Sequence, residues 1–383
     1  MQANWSYPTT IWFGAGRIEA LPDACRNVGI ERPLLVTDRG LADLPITARA
    51  LDILEKAGLG RGLFSGVDGN PTDTNLDAGI DAFKAGGHDG VIAFGGGSAL
   101  DVGKLIAFQA DQVRPVWDFE DIGDWFTRAN AEVIWPIIAV PTTSGTGSEV
   151  GRAGVVTNTA EEVKKVIFHP KMLPSVVISD PELTVGLPPH ITAGTGMDAF
   201  VHNLEAYCAP TYHPMSEGIA VEGMRLVKEY LPRAYKDGTD IEARGHMMSA
   251  AAMGAVAFQK GLGGVHSLSH PAGVLYHTHH GLTNAVYLPY VLAFNRPAIE
   301  GKIDRLAAWL GIDGGFDGFM KYILDLRAEL GIAHTSKEIG IDDAQTERMA
   351  AMAVVDPTAG GNPVPLTEEI CSDLYRRALA GTV

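Results

Sequence analysis

The sequence predicts an α/β N-terminal domain followed by an all-α C-terminal domain, the two meeting near residue 185. Three observations carry this. Short apolar runs alternate with helix-like stretches through the first half, and glycine- or hydroxyl-rich turns close two of those runs. Beyond Thr192 the chain becomes rich in Ala, Leu, Met and Glu, with few β-branched runs. With 383 residues, 46% of them hydrophobic and 20% charged, the chain is long enough to bury more than one core.

Taken in order, Pro33 to Thr37, Gly90 to Phe94 and Val133 to Val140 are short apolar segments that end in Asp or in Gly/Ser/Thr-rich turns. They read as buried parallel strands. Between them, Leu41 to Ala57 and Thr74 to Ala85 carry apolar residues at helical spacing, a βαβα pattern in which ligands sit at the carboxyl ends of the strands. A last strand, Ser175 to Ser179, ends in Asp180-Pro181, and the character changes after Pro188-Pro189. Met215 to Tyr230, Ile241 to Gln259 and Lys302 to Leu310 are helical in spacing, so the expected domains are 1–185 and 186–383.

Composition narrows the class. A formal net charge of -16 repels a phosphate backbone, and no Lys/Arg run offsets it, so nucleic acid is not an expected partner. Cys25, Cys208 and Cys371 are far apart and form no CxxC pair, which argues for a reducing cytoplasm rather than a disulfide framework. The opening MQANWSYPTT lacks a basic segment followed by an apolar run, so no secretory leader is expected. Val133 to Val140 and Met247 to Phe258 are far shorter than the roughly 20 residues that span a bilayer, so no membrane anchor is expected.

Gly95-Gly96-Gly97-Ser98 follows a strand directly and precedes a segment of helical spacing, Ala99 to Ile106. Glycines at such a place let a diphosphate approach backbone N–H groups at the positive end of a helix. A tight turn that needs positive φ is the plainer alternative. A second loop, Pro141 to Glu149, also follows an apolar strand and is dense in hydroxyls, and two such loops at one sheet edge suit a dinucleotide. Asp38 closes its strand, where a carboxylate can accept from a ribose 2′-OH and repel a 2′-phosphate, favouring NAD over NADP; a turn or helix-capping Asp is equally common there.

In the second half, five of the twelve histidines, His266, His270, His277, His279 and His280, fall within fifteen residues. Upstream, Asp198 and His202 are four apart, which on a helix points both off one face. A carboxylate with several imidazoles suits a divalent transition metal, Fe(II) or Zn(II), rather than calcium or magnesium. Spacing alone does not say which histidines bind.

Across nearly its whole length the chain resembles the iron-containing (group III) alcohol dehydrogenases, whose fold is related to those of glycerol dehydrogenase and dehydroquinate synthase. The matching segments are Phe13 to Gly16, Asn70-Pro71-Thr72, Gly95 to Ser98 with Asp101 and Lys104, Pro141 to Glu149, Asp180-Pro181, Gly196 to Ala199, Gly264 to His266 with His270-Pro271, His280-Gly281 with Asn284-Ala285, and Asn362-Pro363. The resemblance implies a Rossmann-like dinucleotide-binding domain joined to a helical metal-binding domain. It implies Asp198, His202, His266 and His280 as metal ligands. It implies His270 as an active-site histidine outside the ligand set; because imidazole titrates near working pH, His270 is also a candidate to pass the alcohol proton toward solvent, with a packing or ligand-supporting role the plainer alternative. The nucleotide contacts it implies fall on Asp38, Gly95, Gly96, Gly97, Ser98, Asp101, Thr142, Thr143, Ser144, Thr146 and Lys164. The implied reaction moves a hydride between NAD(H) and a small alcohol or aldehyde whose oxygen the metal polarises. His277 and His279 stand outside the ligand pattern.

Within the same resemblance, a zinc polyol dehydrogenase of the glycerol type and a non-redox lyase like dehydroquinate synthase are the alternatives. The segment Ala257 to Leu262 departs from the usual small and amide residues. Lys260 within it is a candidate to meet a substrate carboxylate, which would favour a hydroxy acid; a lysine on a solvated face is the commoner case. A homo-oligomer is expected on general grounds.

Overall fold

The computed structural model describes Tyr7 and residues 9–383, so most of the opening segment read above for a leader lies outside the described residues. The chain forms two compact units. One comprises Tyr7–Thr143 and Gly147–Val185; the other holds Ser144–Thr146 and Gly186–Val383.

The first unit is built on a six-stranded sheet. Its elements in chain order are β1 (Thr10–Phe13), α1 (Leu21–Val28), β2 (Pro33–Asp38), α2 (Pro45–Lys56), β3 (Leu63–Val67), α3 (Asp73–Ala85), β4 (Gly90–Gly95), α4 (Gly97–Gln109), β5 (Ile137–Pro141), β6 (Ala153–Asn158), β7 (Val163–Phe168) and β8 (Val176–Ser179). The sheet order is β1-β8-β5-β4-β2-β3 and every pairing in it is parallel, while β6 and β7 form a separate antiparallel pair. Alternate residues feed opposite faces, as strand geometry requires. Leu34, Val36, Val91 and Ile137 pack into one core, and Leu35, Ile92, Phe94, Ile138 and Val140 into another.

The chain runs from β2 outward to β3 and then returns to β4 on the other side of β2. This reversal makes the carboxyl ends of β2 and β4 a topological switch point, where open α/β sheets bind their ligands. Asp38 ends β2, Gly95 ends β4, and Gly95 lies in register with Pro141 at the end of β5.

The strands read from the sequence are present with trimmed ends, and physical reasons set the trimming. The last begins at Val176, one residue later than expected. The run beginning at Val133 becomes a strand only from Ile137, because Pro136 cannot donate to a ladder and restricts Trp135 before it. The helix expected from Leu41 starts at Pro45, where a proline at the first helical positions forfeits no hydrogen bond. β1, β3, β6 and β7 were not anticipated.

The second unit is all-helical among the described residues: α5 (Pro189–Cys208), α6 (Pro214–Lys236), α7 (Ile241–Ala257), α8 (Gly264–Tyr276), α9 (His280–Trp309), α10 (Gly315–Glu329), α11 (Thr346–Val354) and α12 (Glu368–Ala380), with short 3-10 turns between. From Gly196 to Cys208 every residue of α5 is buried. Any polar side chain on that stretch must therefore find a partner, and Asp198, His202 and Glu205 all lie there. No helix among the described residues is long and apolar enough to cross a membrane.

Candidate functional site

In the sheet unit, Gly95 has φ 144, and a Cβ on it would stand 2.8 Å from the Cβ of Ala99. Only glycine allows the strand to turn this tightly into α4. Gly96 precedes α4 without a side-chain capping bond, so the first N–H groups of a 13-residue helix point into the turn at its positive end. Ser98 Oγ donates to the Gly69 carbonyl at 2.7 Å. The Thr142 N–H donates to the Gly95 carbonyl at 2.9 Å, which holds the two loops side by side, and Thr143 borders Gly96. The Thr142 hydroxyl is buried without a hydrogen-bond partner. That is the condition expected of groups reserved for a ligand or a water, and it fits a nucleotide.

Asp38 Oδ1 accepts from the N–H groups of Gly40 and Leu41 at 2.9 and 3.0 Å. The turn-forming role is thus realised by one oxygen, while Oδ2 faces Gly95. Asp101 has protein partners on both oxygens: the Ser148 hydroxyl and Lys104 Nζ on one, the Val155 N–H on the other. Lys164 Nζ donates to Asn70 Oδ1 at 3.0 Å, and its neighbour Lys165 pairs with Glu120 and Glu161. Thr146 falls with the helical unit, as does Ser144.

In the helical unit, Asp198, His202 and His266 bring one ligand atom each within 4.8 Å of one another, all three buried. Asp198 Oδ1 lies 3.9 Å from His202 Nε2, 3.8 Å from His266 Nε2 and 3.5 Å from His280 Nε2. These separations are too long for hydrogen bonds. Donors set tetrahedrally about 2.1 Å from one ion stand roughly 3.4 Å apart, so the set fits a shared divalent metal. The His280 side chain is 33% exposed, which makes it the open side of the cluster. Its approach depends on Gly281, where a Cβ would stand 2.2 Å from the Gly194 carbonyl oxygen; the backbones of α5 and α9 meet there.

The electrostatics differ between the two buried imidazoles. Burial pushes His202 down to about 4, outweighing the Asp198 carboxylate. His266 is also buried, but the Glu205 carboxylate overcomes that penalty and raises its pKa. Asn284 Nδ2 donates to Asp198 Oδ1 at 2.8 Å, fixing the carboxylate's orientation.

His270 lies beside the cluster, its ring stacked 5.4 Å from that of His280 and set edge-on 5.8 Å from that of His266. Its Nδ1 donates to Asp356 Oδ2 at 2.8 Å. Burial alone would raise the Asp356 carboxyl, but His270 and the Thr358 hydroxyl and N–H hold it below the usual carboxylate range. Glu205 and Asp356 were not anticipated from sequence. Glu205 carried a signal, three residues past His202 on the same helix, whereas nothing linked Asp356 to a histidine 86 residues away.

His277 ends α8 with φ 55, and His279 precedes α9, its Nδ1 accepting from the Leu282 N–H. Both shape the junction. Lys260 corrects an expectation. It is buried, and its Nζ donates to the carbonyls of Ala206 and Tyr207 at 3.0 Å each, and to that of Ala209; Glu217 adds an ion pair at 3.2 Å. Carbonyls at the negative end of α5 outcompete solvent or a substrate for the ammonium.

Comparison with known proteins bears on the family and the fold. Residues 8–181 match the family model described as iron-containing alcohol dehydrogenase, and residues 192–379 match the C-terminal model of that family. The 4-hydroxybutyrate dehydrogenase of Cupriavidus necator is 38% identical, over 97% of this chain and 98% of its own. A crystal structure of a 1,3-propanediol oxidoreductase superimposes with a TM-score of 0.94 at 34% identity, covering 99% of this chain and 100% of the other. The sulfoacetaldehyde reductase of Bifidobacterium kashiwanohense, solved in complex with NAD+, gives a TM-score of 0.89 at 30% identity and 99% coverage of both chains.

Proposed function

Because the chain belongs to the iron-containing alcohol dehydrogenase family, we propose that it transfers a hydride between NAD(H) and a short primary alcohol, diol or hydroxy acid, or the corresponding aldehyde. The observation that carries this reading is the convergence of Asp198, His202 and His266, with His280 facing the same carboxylate oxygen. Those four side chains are the proposed ligands of Fe(II), with Zn(II) a strong competitor by the Irving–Williams order. When bound, the metal supplies Lewis acidity toward the substrate oxygen and the nicotinamide takes up or gives back the hydride.

The protein's own groups do the rest. Residues 1–185 carry the nucleotide and 186–383 the metal. Asp38, the Gly95-Gly96-Gly97-Ser98 turn, Thr142, Thr143, Ser144, Thr146 and Lys164 are the proposed nucleotide contacts; Asp101 serves that surface from behind by holding Ser148 and Val155. His270 gives its Nδ1–H to Asp356, so its Nε2 is the atom that accepts the alcohol proton and returns it to the product in the reverse direction.

The relatives are named for 4-hydroxybutyrate and 1,3-propanediol, and for this chain we propose substrates of that size with a terminal hydroxyl. Lys260, held at the end of α5, has no part in choosing among them. A glycerol-type zinc enzyme and a non-redox lyase are not favoured by the family assignment. We further place the protein in a reducing cytoplasm, in keeping with three free, buried cysteines, and as a homo-oligomer. The edge strand β1, with Ile11 37% and Phe13 51% exposed, supports the latter; light scattering on the parent and on Phe13→Lys tests it.

The deciding experiment strips the metal, reloads anaerobically with Fe(II), Zn(II) or nothing, and follows NADH formation across short alcohols, diols and hydroxy acids. Turnover only in reloaded samples is the expected result. NAD binding with no metal-dependent turnover on any substrate would overturn the reading.

A further inference from the structure

Glu205 sits on α5 three residues after His202 and seven after Asp198, so the three share one face of that helix. Its carboxylate is 8% exposed and reaches the start of α8. Oε2 accepts from the Gly263 N–H at 3.0 Å and from His266 Nδ1 at 2.6 Å, and Oε1 accepts from the Val265 N–H at 2.7 Å. The N–H between those two, on Gly264, goes instead to Asn362 Oδ1 at 3.0 Å. Helix α8 thus has no capping side chain of its own, since Gly263 precedes it. Its orphan donors are satisfied by a carboxylate from α5 and an amide from residue 362.

The carboxylate therefore has two tasks with different consequences. As a cap it complements the positive end of α8. As an acceptor for Nδ1 it allows only the tautomer with the proton on that nitrogen, which leaves Nε2 unprotonated, 3.2 Å from Asn284 Nδ2 and 3.8 Å from Asp198 Oδ1. The Asn362 amide does only the first task, which supplies an internal comparison within one helix terminus.

We propose that Glu205 is a positioning residue for the metal held by Asp198, His202, His266 and His280, setting the tautomer and ring orientation of His266 from outside the ligand set. The inference rests on the metal reading of that cluster. An acceptor behind a ligating imidazole raises its basicity, and loss of such a partner weakens metal binding by about 10- to 100-fold.

The test is competition for Zn(II) against a chromophoric chelator, with full-length parent, Glu205→Gln, Glu205→Asp, Asn362→Ala and His266→Ala, each checked for helix content. Co(II) absorption is recorded as a signature of ligand geometry. Glu205→Gln is expected to weaken Zn(II) by at least about tenfold and to alter the Co(II) spectrum. Asn362→Ala, which disturbs the same helix end without touching the imidazole, is expected to bind within about threefold of the parent. Should Glu205→Gln fail to fold, Glu205→Asp keeps the charge at α8 but withdraws it from Nδ1, and the same loss is expected. Affinity equal to the parent in the folded Glu205 variants, or an equal loss in Asn362→Ala, overturns the proposal. If the parent binds Zn(II) no better than His266→Ala, the metal reading itself fails.

Discussion

Replacing Glu149 by Gln is expected to stabilise the sheet unit, and only above mildly acidic pH. The side chain is 4% exposed, and burial pushes its carboxyl up from the ordinary 4.5 to about 7, against the opposing pull of a backbone N–H and Lys104. An acid whose pKa is higher folded than unfolded binds more protons in the folded state between those two values, so stability falls as pH rises through that window. The interval from 4.5 to about 7, at about 1.4 kcal/mol per tenfold change in proton affinity, corresponds to about 3 kcal/mol. Glu149→Gln removes the charge while keeping the shape. The variant should match the parent below pH 4.5, gain progressively between pH 4.5 and 7, and reach the full difference above that range. For a unit of this size about 3 kcal/mol raises Tm by roughly 6–12 °C. Thermal melts of parent and variant across the pH range provide the check. A shift of the same size at both ends of the range, or a destabilised variant at pH 8, would refute the argument that a buried charge is the cause.

Three further outcomes are expected. His270→Ala should lower turnover about 100-fold with the metal content unchanged by elemental analysis, and Asp356→Asn should follow it part of the way; loss of metal in either would remove His270 from proton transfer. Asp38→Ala should lose about 1 kcal/mol of stability as the Gly40 and Leu41 N–H groups lose their acceptor, and should narrow the preference for NAD over NADP. If stability falls while kinetics with both nucleotides are unchanged, Asp38 is a turn residue alone. Lys260→Met should cost about 2–4 kcal/mol by orphaning carbonyls at the end of α5, measured by urea unfolding. It should leave the ratio of hydroxy acid to simple alcohol activity as in the parent, and a fall in that ratio would restore a role in substrate recognition.

What could be read without the structure follows from how locally each feature is encoded. β2, β4, β5 and β8 are buried on both faces, so each is a continuous apolar run. The strands passed over lack that mark: β1 and β3 are edges with exposed Ile11, Phe13 and Leu63, and β7 carries Lys164 and Lys165. Asp198 and His202 were legible because one helix turn joins them. The acceptors behind the histidines were not, because Glu205 and Asp356 reach theirs across 61 and 86 residues. Lys260 shows the converse, since nearness in sequence to His266 says nothing of where Nζ points.

The turn between α8 and α9 has three residues, His277 to His279. It joins the helix bearing His266 to the one that begins at His280. His280 is the first residue of α9, and the turn that sets where this helix begins depends on particular side chains: His277 takes φ 55 and His279 accepts from the Leu282 N–H. A residue without a hydrogen-bond acceptor at 279 would leave the first turn of α9 uncapped, and a β-branched residue at 277 would be strained at positive φ. Substitutions at either position would be felt first at His280, the partly exposed member of the cluster.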